Sequence, residues 1–103
     1  MQPVTKTEMD QIVPAADQRD SQLVELGASC LGYLAETPEE LARFMDVAGY
    51  SPAALRRAVG TPALALGLVD YFAANESILL AFCANTGNRP EDVMRVWHAH
   101  NPS

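Results

Sequence analysis

Residues 61–73 read TPALALGLVDYFA, and this segment decides the fold that the sequence predicts. Thr61 is a favoured helix cap, and the proline after it suits the first turn of a helix. The run that follows is apolar on nearly every side, which is typical of a helix that is buried on all sides or lies in an interface. In the second case, the candidate interface residues are Leu64, Leu68, Tyr71 and Phe72.

The residues before this segment predict three more helices. Residues 20–35 place apolar side chains at steps of three and four, which is the spacing of one helical face. Residues 37–49 open with Thr37 and Glu40 in the pattern of a capping box and end at a glycine stop. Residues 51–59 open with Ser-Pro and precede another glycine, so we expect a third helix there.

Two glycines lie inside the first predicted helix. Gly27 and Gly32 each cost about 1 kcal/mol of helix stability relative to alanine. A close approach by another backbone would explain that cost, so we expect one at both positions.

The residues after the central segment predict two further helices. Asn75 is a candidate cap for a helix that ends at Gly87, and Pro90 opens a last helix. Alternatively, the fourth and fifth helices form one continuous rod. The sequence therefore predicts an all-α protein, a compact bundle of five or six short helices with two helix-turn-helix-like hairpins.

An internal match supports the two hairpins. A shift of 38 residues aligns residues 37–59 with residues 75–97. Either a duplication or the shared geometric needs of any two helical hairpins would produce this match. The matching positions are cap, apolar face, stop and next start: Thr37 and Asn75, Leu41 and Leu79, Phe44 and Phe82, Gly49 and Gly87, Pro52 and Pro90, Leu55 and Val93, and Arg57 and Arg95.

Composition excludes several classes of protein. The chain has 103 residues, 49% of them hydrophobic and 19% charged, with a formal net charge of -6. It is too apolar to be wholly disordered, and its two cysteines are too few for a disulfide scaffold. The acidic balance also opposes nucleic-acid binding, because contact with phosphates is the main source of affinity there.

The chain divides into two predicted parts. Residues 1–16 contain two prolines and no sustained periodicity, so we expect a flexible arm before a single helical domain over residues 17–100. Cys30 and Cys83 lie in apolar surroundings, which favours buried thiols over a disulfide. We find no signal peptide and no membrane-length apolar run, so the expected location is the cytoplasm.

The arginines suggest two surfaces. The third helix, residues 51–59, would be the recognition helix if the first hairpin bound DNA, and it carries Arg56 and Arg57. Together with Arg43, Arg89 and Arg95 these side chains form a candidate interaction surface for carboxylates or phosphates. The alternative is that the arginines pair with acidic residues on neighbouring helical turns.

The sequence shows no catalytic motif, and we expect neither an enzyme nor a cofactor. Asp70 and Glu76 are the only charges between Arg57 and Arg89, and we expect them to pair with arginines. A small-molecule role would require a pocket that holds one of these acids beside a tyrosine. Residues 98 and 100 are histidines on roughly opposite sides of a helix, a spacing that does not predict a shared metal.

Three segments in this order resemble a family of small bacterial proteins of unknown function. They are LGYLAETPEELARFMDVAGYSPAALR, then TPALALGLVDYFAANESILLAFCANTG, then RPEDV. The resemblance covers about residues 22–98. It implies a cytoplasmic, all-helical bacterial protein and no particular activity, ligand or catalytic residue.

Together these observations predict a non-enzymatic protein–protein interaction or regulatory module. The expected partner is another protein or a second copy of the chain. The alternative is a DNA-binding protein that uses the third helix.

Overall fold

Six α-helices follow one another in the computed structural model, which describes residues 15–101. They are α1 (Ala15–Ala35), α2 (Pro38–Ala48), α3 (Pro52–Ala58), α4 (Pro62–Ala73), α5 (Glu76–Thr86) and α6 (Pro90–His100). The prediction of an all-α bundle is confirmed. Most of the predicted arm, residues 1–16, lies outside the described residues, and its last two residues belong to α1.

Helix α4 lies at the centre of the bundle. It packs against all five other helices, most extensively against α1. Its large side chains are therefore covered by the chain itself, which settles the choice between a buried helix and an interface. The predicted interface residues are core residues with small exposed fractions: Leu64 2%, Leu68 1%, Tyr71 8% and Phe72 0%.

The contact between α1 and α4 depends on one glycine. A Cβ atom at Gly27 would lie 2.5 Å from the Cβ and 2.7 Å from the Cα of Ala65. The predicted close approach is confirmed there. At Gly32 it is wrong, since a Cβ would meet nothing within 4 Å and no other described helix covers this position.

The helix caps follow the prediction in two places. The hydroxyl of Thr61 accepts a hydrogen bond from the Leu64 amide at 3.2 Å. Ser51 does the same for the Ala54 amide at 3.1 Å. Helices α3 and α4 therefore begin with the side-chain caps that their sequence indicates.

Two other predicted caps are wrong. Thr37 makes no side-chain cap bond. In a capping box the Glu40 side chain would accept a hydrogen bond from the Thr37 amide, but that amide donates to the Leu34 carbonyl. Asn75 also makes no cap bond, and its side-chain Nδ2 atom donates to the Tyr71 carbonyl at 2.7 Å.

The turns between helices rest on glycines with positive φ. Gly49 follows α2 with φ 82° and Gly87 follows α5 with φ 78°, and both preceding helices have eleven residues. The internal match is less close in the second helices, since α3 has seven residues and α6 has eleven. The sequence match therefore corresponds to similar geometry in the first helix and the turn of each hairpin.

Helices α4 and α5 are separate elements. They meet at a bend of 110°, so the alternative of one continuous rod is excluded. Across residues 15–101, no single helix has both the length and the apolar character to cross a membrane. Only this bent pair, taken together, reaches that length and composition.

Candidate functional site

The first candidate surface is an apolar groove between α1 and the beginning of α4, which we call the α1/α4 groove. Its volume is about 320 Å³. Gly27 lies at its floor, five further residues of α1 lie along it at helical spacing, and Val59 lines its other side. The five further residues are Val24, Ala28, Leu31, Gly32 and Ala35.

This groove is open to solvent. Ala28, Gly32 and Ala35 are exposed, and the side chain of Val59 is 56% exposed. Small residues at steps of three and four leave room for the backbone of a second helix to come close. The geometry of the groove therefore suits a helix as its occupant.

The five arginines of residues 20–101 fall into two groups. Three of them pair with nearby carboxylates, as the sequence alternative stated: Arg43 with Glu40 at 3.2 Å, Arg89 with Glu91 at 3.4 Å, and Arg95 with Asp92 at 2.9 Å. Exposed ion pairs of this kind contribute about 0–1 kcal/mol each.

Arg56 and Arg57 form the second group. They lie exposed in the last turn of α3, and no carboxylate of residues 20–101 pairs with them. Arg95 lines a different groove, between α1 and α6. Of the five arginines that the sequence assigned to one surface, Arg56 and Arg57 are therefore the two without an ion-pair partner among residues 20–101.

The second candidate surface is a pocket between α2 and α4, which we call the α2/α4 pocket. Its volume is about 560 Å³. Aromatic rings, small residues and polar groups all contribute to its wall. These residues are Arg43, Phe44, Val47, Ala48, Tyr50, Gly67, Asp70, Tyr71, Ala74 and Asn75.

Three aromatic rings form one packed group in this pocket. The Phe44 ring stacks on Tyr50 with centroids 6.2 Å apart and meets the edge of Tyr71 at 5.4 Å. The Tyr71 hydroxyl donates a 2.8 Å hydrogen bond to Glu40. Burial raises the pKa of Tyr71, and the hydrogen bond to Glu40 adds to this effect, so the phenol keeps its proton at neutral pH.

Asp70 has a partner that the sequence analysis did not identify. The Trp97 indole N–H donates a 2.6 Å hydrogen bond to its Oδ1 atom. The expected pairing of Asp70 with an arginine is therefore wrong. Glu76 lies exposed in the first turn of α5 and does not line the pocket.

The pocket meets the condition that the sequence analysis set for a small-molecule role, because it holds Asp70 beside Tyr71 and Tyr50. Arg43 was expected on an arginine surface and not in this pocket, and neither Asn75 nor Trp97 was predicted as part of a site. The sequence holds one signal of this pocket: Gly67 lies in the middle of α4, where glycine costs about 1 kcal/mol relative to alanine.

The two cysteines are free and buried. Burial, together with the neighbouring Cys83, raises the pKa of Cys30 to about 12. Burial also raises the pKa of the Cys83 thiol. Both groups are protonated apolar side chains of the core at neutral pH, as the sequence predicts.

The histidines near the end of α6 do not form a metal site with their neighbours. The His98 ring packs on Trp97 with centroids 4.9 Å apart. In the part of the chain that the structure describes, no three His, Cys, Asp or Glu side chains are grouped as metal ligands.

The fold and its two surfaces define a small all-helical protein with an open apolar groove and a mixed polar and aromatic pocket. The chain belongs to the family described as "Protein of unknown function (DUF3572)", which it matches over residues 21–103. The family resemblance inferred from the sequence is thereby confirmed. No curated protein and no solved structure matches the chain.

Proposed function

We propose that the protein is a non-enzymatic interaction module that associates with a second copy of itself through the α1/α4 groove. The observation that carries this proposal is Gly32. It lies exposed in the middle of α1, where glycine costs about 1 kcal/mol relative to alanine. Because no described helix of the chain approaches it, a helix from a second molecule gives this glycine a role.

The spacing along α1 supports a helical partner. Val24, Ala28, Leu31 and Ala35 repeat at steps of four, three and four, which is the pattern of helices that pack against each other. The adjacent face of α1, offset by one residue, carries the same spacing in Leu23, Gly27, Cys30 and Leu34, and that face packs inside the chain. We therefore expect the open face to pack in a similar way against α1 of the second copy.

Charge favours a second copy over an unrelated helix. Glu25 and Glu36 flank the open face of α1. Arg56 lies one helical turn before Val59, at the other side of the groove. In a two-fold arrangement, each surface meets the same surface of the partner, so the carboxylates of one copy come to the arginines of the other.

We expect this association to depend on protein concentration. Residues 24–35 span about 17 Å at about 1.5 Å per residue. A stable interface buries about 800 Å² per partner, and a helix contact of this length supplies only part of that area. A dimer that dissociates on dilution is therefore the expected behaviour.

Sedimentation equilibrium of wild type and Ala28→Glu tests the proposal. Wild type should change from monomer to dimer as its concentration rises, and Ala28→Glu should stay a monomer because it puts a charge into the groove. Ala84→Glu is the matched control, an exposed alanine of α5 that lies outside both surfaces. A wild-type chain that is monomeric at every concentration, or an Ala28→Glu variant that still dimerises, contradicts the proposal.

DNA binding through α3 is the second candidate function. It is favoured by the absence of carboxylate partners for Arg56 and Arg57 among the described residues. It predicts binding that weakens steeply as salt rises and is lost in the double variant Arg56→Ala/Arg57→Ala. A low-salt gel shift without retardation of the DNA excludes it. A location in the cytoplasm, expected from the sequence, accompanies both candidates.

A further inference from the structure

The α2/α4 pocket is large enough for a small molecule. Its volume of about 560 Å³ lies within the range of roughly 300–1,000 Å³ that is usual for ligand sites. Small residues create this room. At Gly67 a Cβ atom would meet nothing within 4 Å, so the glycine leaves space in the pocket at a position where alanine would favour the helix.

Opposite charges line this pocket from two helices. Arg43 of α2 contacts Glu40 through its Nη1 atom, and its side chain is 66% exposed. A guanidinium has five N–H donors in all, so donors remain for a ligand. Asp70 of α4 uses Oδ1 for Trp97, and its Oδ2 atom has no hydrogen-bond partner among the described residues.

Apart from Asn75, the remainder of the wall is aromatic and apolar. Tyr50 is half-buried and stacks on Phe44, and Val47 next to them is 71% exposed. An aromatic or other apolar group of a ligand would cover these surfaces and remove them from water. The pocket thus offers a cation, an anion and an apolar surface to one molecule.

We infer that the α2/α4 pocket binds a zwitterionic α-amino acid with an aromatic side chain. Its carboxylate meets the Arg43 guanidinium, its ammonium group meets Asp70, and its ring packs against Tyr50 and Val47. Both charges are needed for selectivity. A carboxylic acid without the amine is repelled by Asp70, and an amine without the carboxylate is repelled by Arg43.

Trp97 is a built-in reporter of this site. It is the only tryptophan of the chain, and its indole N–H is bonded to the carboxylate that would receive the ammonium group. Ligand binding at Asp70 changes the charge next to the indole. We therefore expect a change in tryptophan fluorescence that saturates with ligand concentration.

The test is calorimetric and fluorescence titration of the full chain with L-phenylalanine. Two analogues isolate the charges: 2-phenylethylamine lacks the carboxylate, and 3-phenylpropanoate lacks the amine. L-phenylalanine should bind at least tenfold more tightly than either, because each analogue loses one charge-assisted contact, worth roughly tenfold in affinity. Absence of saturable binding of L-phenylalanine, or equal binding of 3-phenylpropanoate, overturns the inference.

Variants then locate the site. Arg43→Gln and Asp70→Asn should each weaken L-phenylalanine binding at least tenfold by calorimetry, while Arg89→Gln should not change it. Arg89 is the matched control, since it also forms an exposed ion pair but lies outside the pocket. Circular dichroism melting checks that each variant is folded. Binding that survives in both folded pocket variants overturns the inference.

The pocket and the groove lie on different sides of α4 and share no lining residue. Ala28→Glu should therefore bind L-phenylalanine as wild type does, even though it does not dimerise. This variant separates the two proposals, because failure of one leaves the other unaffected. If the same variant loses the ligand while it stays folded, the inference of an independent pocket is wrong.

Discussion

Helices α4 and α1 use their apolar residues in opposite ways. Helix α4 is the more apolar in sequence, yet its large side chains are buried or half-buried within the chain. Helix α1 has two apolar faces, and only the face with Leu23, Cys30 and Leu34 is fully covered. The more hydrophobic helix is therefore the core of the protein, and the less hydrophobic one keeps an open surface.

A helix with a higher hydrophobicity does not therefore carry more exposed apolar surface. A strongly apolar helix in the centre of a small bundle finds partners on all sides. A helix at the edge of the bundle can use only one face within the chain. Open apolar surface is consequently expected on edge helices, and mutations should affect stability most in α4 and association most in α1.

The largest effect should come from truncation within α4. Phe72 is fully buried, and its ring meets the edge of Phe82 with centroids 5.1 Å apart. Phe72→Ala should lower the free energy of unfolding by about 3–5 kcal/mol, because it leaves a cavity in the core. Urea denaturation measures this loss. Leu80→Ala is the control on an exposed large side chain of α5, and an equal loss in both variants would contradict the assignment of α4 as the core.

The next effect concerns the covered face of α1. Gly27→Ala would bring a Cβ atom within 2.5 Å of the Ala65 side chain, and the nearby Cα at 2.7 Å belongs to the rigid backbone of α4. We expect a loss of about 1–3 kcal/mol in the free energy of unfolding, as for other overpacked cores. Equilibrium unfolding of the variant measures it. An unchanged unfolding midpoint would mean that α1 and α4 can move apart to accommodate the added methyl group without a loss of stability.

Local signals in the sequence predicted the helices well and their side-chain partners poorly. The apolar periodicity, the Ser51 and Thr61 caps and the glycine stops act within one or two turns, so they are readable from the chain itself. The bond from Trp97 to Asp70 joins positions 27 residues apart in sequence. Nothing in the local pattern indicates such a partner.

A distant partner also engages Glu40, the second residue of the predicted capping box. Glu40 matched a capping box, but its carboxylate accepts a hydrogen bond from Tyr71, which lies 31 residues later in the chain. A cap contributes about 1 kcal/mol, which is similar to a single hydrogen bond elsewhere, so tertiary contacts readily replace it. The candidate pocket is built from such contacts between α2 and α4. The sequence therefore shows which types of residue are present, but it does not show which of them lie together in the pocket.

Alkaline pH should weaken the covered face of α1 through Cys30. Burial raises the pKa of this thiol from 9.0 to about 12. Above pH 9 the unfolded chain loses the proton while the folded chain keeps it, so stability is intact below that pH and falls as pH rises towards 12. The slope should reach about 1.4 kcal/mol per pH unit from this group.

Unfolding of wild type and Cys30→Ala across this pH range tests that assignment. The variant loses stability at neutral pH, and the comparison therefore concerns the slope against pH and not the absolute value. The slope should be shallower in Cys30→Ala, with the remainder due to Cys83 and Tyr71, whose pKa values are also raised. Equal slopes in the two proteins would place the titration at those other groups.

The smallest effect should come from the open face of α1, and its sign is reversed. Gly32→Ala adds a Cβ that meets nothing within 4 Å, so it should raise the free energy of unfolding by about 1 kcal/mol. The measurement uses the Ala28→Glu background, in which no dimer forms to complicate unfolding. Gly67→Ala is the matched control in α4, since its added Cβ also meets open space.

Association then distinguishes the two glycines. In the otherwise wild-type chain, Gly32→Ala should weaken the dimer because a methyl group separates the two α1 helices, whereas Gly67→Ala should leave the dimer unchanged. Sedimentation equilibrium of both variants measures this difference. If both variants gain stability and both dimerise as wild type does, Gly32 has no role in association. The proposed function of the open face of α1 then loses the observation on which it depends.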